Sequence, residues 1–234
     1  MNDPLEGIAF YAVFVFAVTI HEAAHAWSAM KGGDLTAYSG GQVSLDPIPH
    51  MKREPFGMVV LPILSVAMSG FPIGYASAPF DPAWAARHPQ RAAWMALAGP
   101  GANLAMTLAA VAAIRLGVET GHFSAPDSLD IRQVTAAVGD AGGLAASGAF
   151  LISIFFSMNL LLFVLNMLPV PPLDGSGALP LVLPERWVEA YRSLFSNPMV
   201  AILGLLLVWN FAGEVFRPAF FFAVGLLYPG TRYE

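Results

Sequence analysis

The chain has 234 residues, of which 56% are hydrophobic and only 12% charged, with a formal net charge of -5 and no cysteine. With a mean hydropathy of +0.62, it lies far from soluble domains, where about a quarter of residues are charged, and reads as an all-α polytopic membrane protein. Scattered Lys and Arg in an acidic chain exclude a nucleic-acid partner, and the lack of cysteine excludes thiol catalysis, disulfides and sulfur metal ligands together. Its length fits one membrane-embedded domain over 1–234, with a core at 5–177 and C-terminal helices at 198–228.

The start, Met-Asn-Asp-Pro-Leu-Glu-Gly, lacks the basic opening and cleavage site of a signal peptide, so the first helix is expected to be retained. From Leu5 to Met30 the apolar run is about 39 Å long as a helix, enough to cross a bilayer. It contains Ile20-His21-Glu22-Ala23-Ala24-His25-Ala26-Trp27. Imidazoles four positions apart share one helix face, and the glutamate beside the first suits a general base acting on water at a metal. Ionisable groups are costly in an apolar helix, which argues for a functional reading of His21, Glu22 and His25.

After Lys31-Gly32-Gly33-Asp34, the glycine pairs and short β-favouring pieces between Leu35 and His50 predict a small β-hairpin. Pro55 to Phe71 is apolar but broken by Gly57, Pro62 and Gly70, and reads as either a spanning helix or a re-entrant segment. Ala92 to Leu116 is a clear helix opening on Ala98-Gly-Pro-Gly-Ala-Asn103, whose small residues permit close packing. Gly117 to Gly148 is a loop. Ala149 to Leu168 spans again and runs into Asn166-Met-Leu-Pro-Val-Pro-Pro-Leu-Asp174-Gly. Prolines at 169, 171 and 172 forbid further helix, which leaves Asp174 on extended backbone just past the span. Pro198 to Phe216 is a fourth span, and Pro218 to Tyr228 a short half-helix or interfacial piece.

Catalytic zinc needs three protein ligands, and Asp174 is the best candidate to join His21 and His25. Their meeting requires the first and third core helices to arrive from the same direction, with the Ala92 helix returning between them. Lys31 to Arg91 must then begin and end on one side, which makes 55–71 re-entrant or a hairpin. This arrangement places Lys31, Lys52, Arg53, Arg87, Arg91, Arg186 and Arg192 on the metal side, against Arg115, Arg132, Arg217 and Arg232 opposite. The positive-inside bias therefore puts the metal toward the cytoplasm. Asn166 has two readings, a donor to a developing oxyanion or substrate backbone and an interhelical hydrogen bond. Asn103 has the same two and leans toward packing. His50 reads as an accessory ligand or substrate contact, or as a solvated loop residue.

H-E-A-A-H in the first core helix, A-G-P-G-A-N in the next and N-M-L-P-V-P-P-L-D-G closing the third resemble the site-2 protease family of intramembrane zinc metalloproteases. Ser44 to His50 with Phe56-Gly57, and Gly74 to Phe80, are similar to its compact prokaryotic branch, which lacks PDZ and nucleotide-binding regulatory domains. The resemblance covers roughly Ile8 to Gly177, with Asp46 standing where that branch commonly has Asn. It implies Zn2+ held by His21, His25 and Asp174, with Glu22 as catalytic base and Asn166 as a substrate or transition-state contact. It also implies hydrolysis of a peptide bond in a single-pass membrane protein or membrane-embedded peptide, often after an upstream site-1-type protease. The location implied is a prokaryotic cell membrane. On this reading Leu35 to His50 offers an edge strand to the substrate. A metal-ion transporter and an inactive scaffold are the rival readings.

Overall fold

A computed structural model describes residues 4–139, 143–195 and 197–230. Four helices are long and apolar enough to cross a membrane: α1 (Pro4–Gly32), α6 (Pro89–Glu119), α7 (Leu144–Asn166) and α10 (Pro198–Leu227). The shorter helices are α2 (Thr36–Ser39), α3 (Pro47–Arg53), α4 (Phe56–Ser69, opening on a π-helical turn), α5 (Pro82–Arg87), α8 (Asp174–Ala178) and α9 (Glu185–Phe195). The chain is thus an all-α, multi-pass membrane protein.

α6 lies between α1 and α7 and runs against both. At one end, Trp84 Nε1 and Arg91 Nη1 both donate to the Gly32 carbonyl, at 3.0 and 3.1 Å, so the end of α1 is level with the start of α6. At the other end, Arg132, in the loop between α6 and α7, pairs with Glu6 at 3.7 Å. One core cluster joins α1, α4 and α7 through Phe10, Phe14, Met58, Ile154 and Met158. A second joins α6, α7 and α10 through Ile114, Phe156, Phe220 and Val224.

The stretch after α1 contains no hairpin; it folds into α2 and α3. Asp46 and Pro47 are the reason. The Asp46 carboxylate accepts from Ile48 N at 2.9 Å, and Pro47 follows at the first helical position, a strong helix-start pair that outweighs the flanking glycines. Asn caps helices equally well, so the Asp46 departure changes no cap. β-Pairing occurs instead in the α6–α7 loop, where β1 (Phe123–Ser124) meets β2 (Ala136–Ala137).

Residues 55–71 form half of a hairpin. The turns of α4, 5 and 9 residues, reach only about 21 Å along the axis, short of a bilayer core of about 30 Å. Gly70 turns the chain at φ 74, and an irregular segment returns beside the helix, with Tyr75 N donating to the Gly57 carbonyl at 3.1 Å. A Cβ on Gly57 would come within 2.2 Å of the Tyr75 oxygen, so this approach needs glycine. The mouth is tied by Ser77, whose carbonyl accepts from Arg53 Nε at 3.1 Å and whose hydroxyl donates to Glu54 at 2.5 Å. The segment therefore enters and leaves at one level.

The C-terminal span also differs from the sequence expectation: α10 continues through Pro218 as one helix of 30 residues. A membrane helix tolerates an interior proline when neighbouring groups satisfy the freed carbonyl.

Asp34, 4% exposed, joins α1 to α5. It accepts from Thr36 N (2.9 Å), Thr36 Oγ1 (2.6 Å) and Asp81 N (2.7 Å). Burial pushes its carboxyl up, and these hydrogen bonds more than reverse this and hold it below the usual value. Its contribution to stability is therefore complete above the unfolded-state pKa and is lost as pH falls through the lower folded one. Asp34→Ala orphans two backbone donors and is expected to cost about 1–3 kcal/mol. Unfolding titrations in mild detergent, compared at pH 7, check this.

Candidate metal centre

His21 and His25 stand on the face of α1 that meets α6, at 6% and 5% exposure. Their rings face edge to face at 4.6 Å between centroids. Asp174 opens α8, immediately after the proline-broken end of α7, and is carried back to the same level. Asp174 Oδ2 lies 3.0 Å from His21 Nε2 and 3.2 Å from His25 Nε2, and the two Nε2 atoms are 3.0 Å apart. Ligands about 2.0–2.1 Å from a tetrahedral zinc stand about 3.3 Å from one another. The three atoms thus form a triangle of nearly the right size. Among the described residues this is the one group of His, Asp or Glu side chains gathered closely enough for a metal.

The other ring nitrogens show which tautomer is held. His21 Nδ1 donates to Asn103 Oδ1 at 2.5 Å, and His25 Nδ1 donates to the Met95 carbonyl at 2.7 Å. With both Nδ1 atoms engaged as donors, both Nε2 lone pairs point at the shared centre, the arrangement that outer hydrogen bonds impose in metal sites. Asp174 completes the set with a carboxylate oxygen, the anionic member of the three. Gly99 in α6 leaves the space: a Cβ there would sit 2.3 Å from His25 Nε2 and 2.5 Å from His21 Nε2. The donor set, its spacing and this cleared volume all fit zinc.

Glu22 is 5% exposed and points into a cavity of about 380 Å³ that His25 and Asp174 also line. Its Oε2 has no hydrogen-bond partner among the described residues. A buried carboxylate oxygen without a donor is expensive unless a reacting group fills the place. Other walls come from residues 76–80 of the returning segment, Met95 and Ala96 of α6, Pro172 and Leu173 before α8, and Tyr191 of α9. Tyr191 Oη donates to the Ser176 carbonyl and so holds α9 against α8.

Asn103 is fully enclosed behind His21, with no face toward the cavity, so a substrate contact does not suit its position. It orients the ring instead. Asn166 is the last residue of α7, half-buried, and does not line the cavity. His50 is 1% exposed on α3, away from the cavity, and its Nε2 donates to the Ser44 carbonyl at 3.0 Å. The loop solvation considered for it is thereby corrected.

Asn159 is a component that sequence reasoning passed over. Its Oδ1 accepts from Asn103 Nδ2 at 3.0 Å, and its Nδ2 donates to the Phe155 carbonyl at 2.9 Å. That bond fixes the Asn103 amide with its oxygen toward His21. An amide seven residues before Asn166 in an otherwise apolar span was the available signal. Asn103→Leu, which frees His21 Nδ1, is expected to weaken zinc affinity by about 10–100-fold, read by competition with a fluorescent chelator.

No family model matches the chain, and no solved structure matches it. It is 30% identical over 168 residues, 69% of this chain and 63% of the relative, to the Bacillus subtilis protein named "Putative zinc metalloprotease YwhC". To the Mycobacterium tuberculosis (strain Erdman) protein named "Putative zinc metalloprotease Rip2" it is 31% identical over 215 residues, 89% of this chain and 71% of the relative. The Rip2 of Mycolicibacterium smegmatis is 26% identical over 187 residues, 76% of this chain and 61% of the relative. The chain thus spans slightly less than two thirds of the Bacillus relative.

Proposed function

Starting from the zinc metalloprotease family of Rip2 and YwhC, to which this chain belongs, we propose that it is an intramembrane endopeptidase of the site-2 type. Its substrate is a single-pass membrane protein or membrane-embedded peptide, cut within or next to the transmembrane segment. The observation that carries this reading is the unpartnered Glu22 Oε2, which shares a cavity with two of the three zinc-binding side chains inside a membrane helix bundle.

Zinc held by His21, His25 and Asp174 supplies Lewis-acid polarisation of a carbonyl and acidifies water. The rest is the work of the chain. Glu22 Oε2 takes the proton of the attacking water and returns it to the amide nitrogen as the peptide bond breaks, so that one water is consumed and an acid and an amine are released. Asn103 and Met95 keep both imidazoles from turning. The largely apolar walls limit competing water around Glu22.

A transmembrane helix hides its carbonyls in internal hydrogen bonds, so the substrate must unwind to be cut. The edge-strand role expected of Leu35 to His50 cannot be filled by α2 and α3. Residues 76–80, a non-helical stretch along the cavity wall, take that place, pairing by β-addition with the unwound segment. The catalytic face is cytoplasmic: Lys31, Lys52, Arg53, Arg87 and Arg91 lie at the metal end, against Arg115 and Arg132 at the other. An upstream site-1-type protease trims the substrate before this cut. A metal transporter would repeat ligands along a path, and the described residues hold one cluster.

Glu22→Gln, expressed in cells, serves as a trap. Intact single-pass proteins should co-purify with it, and the same proteins should appear as shortened products with the unsubstituted chain. Trapped proteins that are never shortened would overturn the proposal.

A further inference from the structure

α10 carries polar groups where lipid should lie. Asn210, Gly213, Glu214 and Arg217 fall at helical spacing on one side of it, and all four are exposed. Phe216, Phe220 and Ala223 are turned about 70–130° from the centre of this stripe, into the cluster with α6 and α7. Neither Glu214 nor Arg217 makes an ion pair among the described residues; the Arg217 guanidinium sits 5.7 Å above the Phe221 ring.

Their depth follows from packing. The Phe220 ring contacts Phe156, at the middle of α7, with centroids 6.3 Å apart. Arg217 and Glu214 lie about 4.5 and 9 Å from Phe220 along the axis, toward the metal end. Phe216 shares a crevice with Ser157 and Leu161, also within α7. An exposed acid and an exposed base therefore lie inside the hydrocarbon layer, where such groups nearly always find partners.

We infer that this stripe is the contact surface for a second copy of the chain, joined α10 to α10 about a two-fold axis along the membrane normal. Charge complementarity favours a second copy. Both copies insert the same way, so matching faces meet at the same depth. Glu214 of each then lies one turn from Arg217 of the other, and two crossed ion pairs form. Asn210 Nδ2 donates to the Leu206 carbonyl within α10 at 2.7 Å, so the amide adds to the seam by its depth and side alone. Gly213, where an added Cβ would meet nothing within 4 Å, lets the two backbones approach closely. The inference depends on α10 spanning the membrane and not on the protease reading.

The cysteine-free chain allows a direct test in lipid vesicles at low protein density. The single variant Leu206→Cys, on the stripe, should form disulfide-linked dimers under mild oxidation. Phe211→Cys, also exposed but turned about 100° away from Asn210, should not. With the Leu206→Cys reporter, Glu214→Arg or Arg217→Glu alone should abolish cross-linking, and co-reconstituting these two variants should restore it between them. Subunit counting by photobleaching should show two copies per particle for the unsubstituted chain. Single copies, equal cross-linking at 211, or indifference to the charge changes would each overturn the inference.

Discussion

Glu22→Gln is expected to retain one zinc per chain while hydrolysis of a membrane substrate falls by about 10²–10⁴-fold, the range that a lost general base accounts for. The glutamine keeps the size and most of the hydrogen bonding of the glutamate, and Glu22 is not one of the three converging ligand side chains. Only its capacity to take a proton is removed. Metal analysis and turnover on the same sample separate the two effects. A variant that kept its zinc and its activity would place the base elsewhere.

Asp174→Ala should fail differently. It removes the anionic member of the ligand set and leaves two neutral imidazoles 3.0 Å apart. Zinc affinity should drop by more than the roughly 100-fold upper range seen when outer partners of ligands are lost. The purified variant should contain little metal, and any activity should rise with added zinc. Because Asp174 also holds α8 in place beside α1, far-ultraviolet circular dichroism serves to confirm that the helices persist. The contrast is diagnostic: Glu22→Gln loses turnover with metal in place, whereas Asp174→Ala loses turnover because metal is gone.

The helix bundle and the metal triangle were legible for one reason, that each has a local signature. His21 and His25 announce themselves by a spacing that only a helix turns into one face, and Asp174 by the prolines that end α7 in front of it. The demand that they meet also dictated that α6 run against α1 and α7. Other features were hidden because they arise from packing between distant segments. Asn103 and Asn159 are 56 residues apart and bond only because α6 lies on α7. The pairing of Gly57 with Gly74 and Tyr75 is visible once the chain has turned back at Gly70. Two local signals were also misjudged. Glycine pairs after α1 suggested strands, but the Asp46-Pro47 cap started a helix, and Pro218 suggested a break that a membrane helix absorbs. The polar neighbours of His50 in sequence suggest solvation, yet it is 1% exposed and bonds to the Ser44 carbonyl.

Intramembrane cleavage itself is tested most directly with the purified chain in lipid vesicles, mixed with single-pass segments of varied sequence, and with products identified by mass spectrometry. The expected result is cleavage inside or at the edge of the apolar segment, stopped by a zinc chelator, restored by zinc and absent with Glu22→Gln. Transmembrane segments left whole by a zinc-loaded chain, or cleavage that persists with Glu22→Gln, would contradict it.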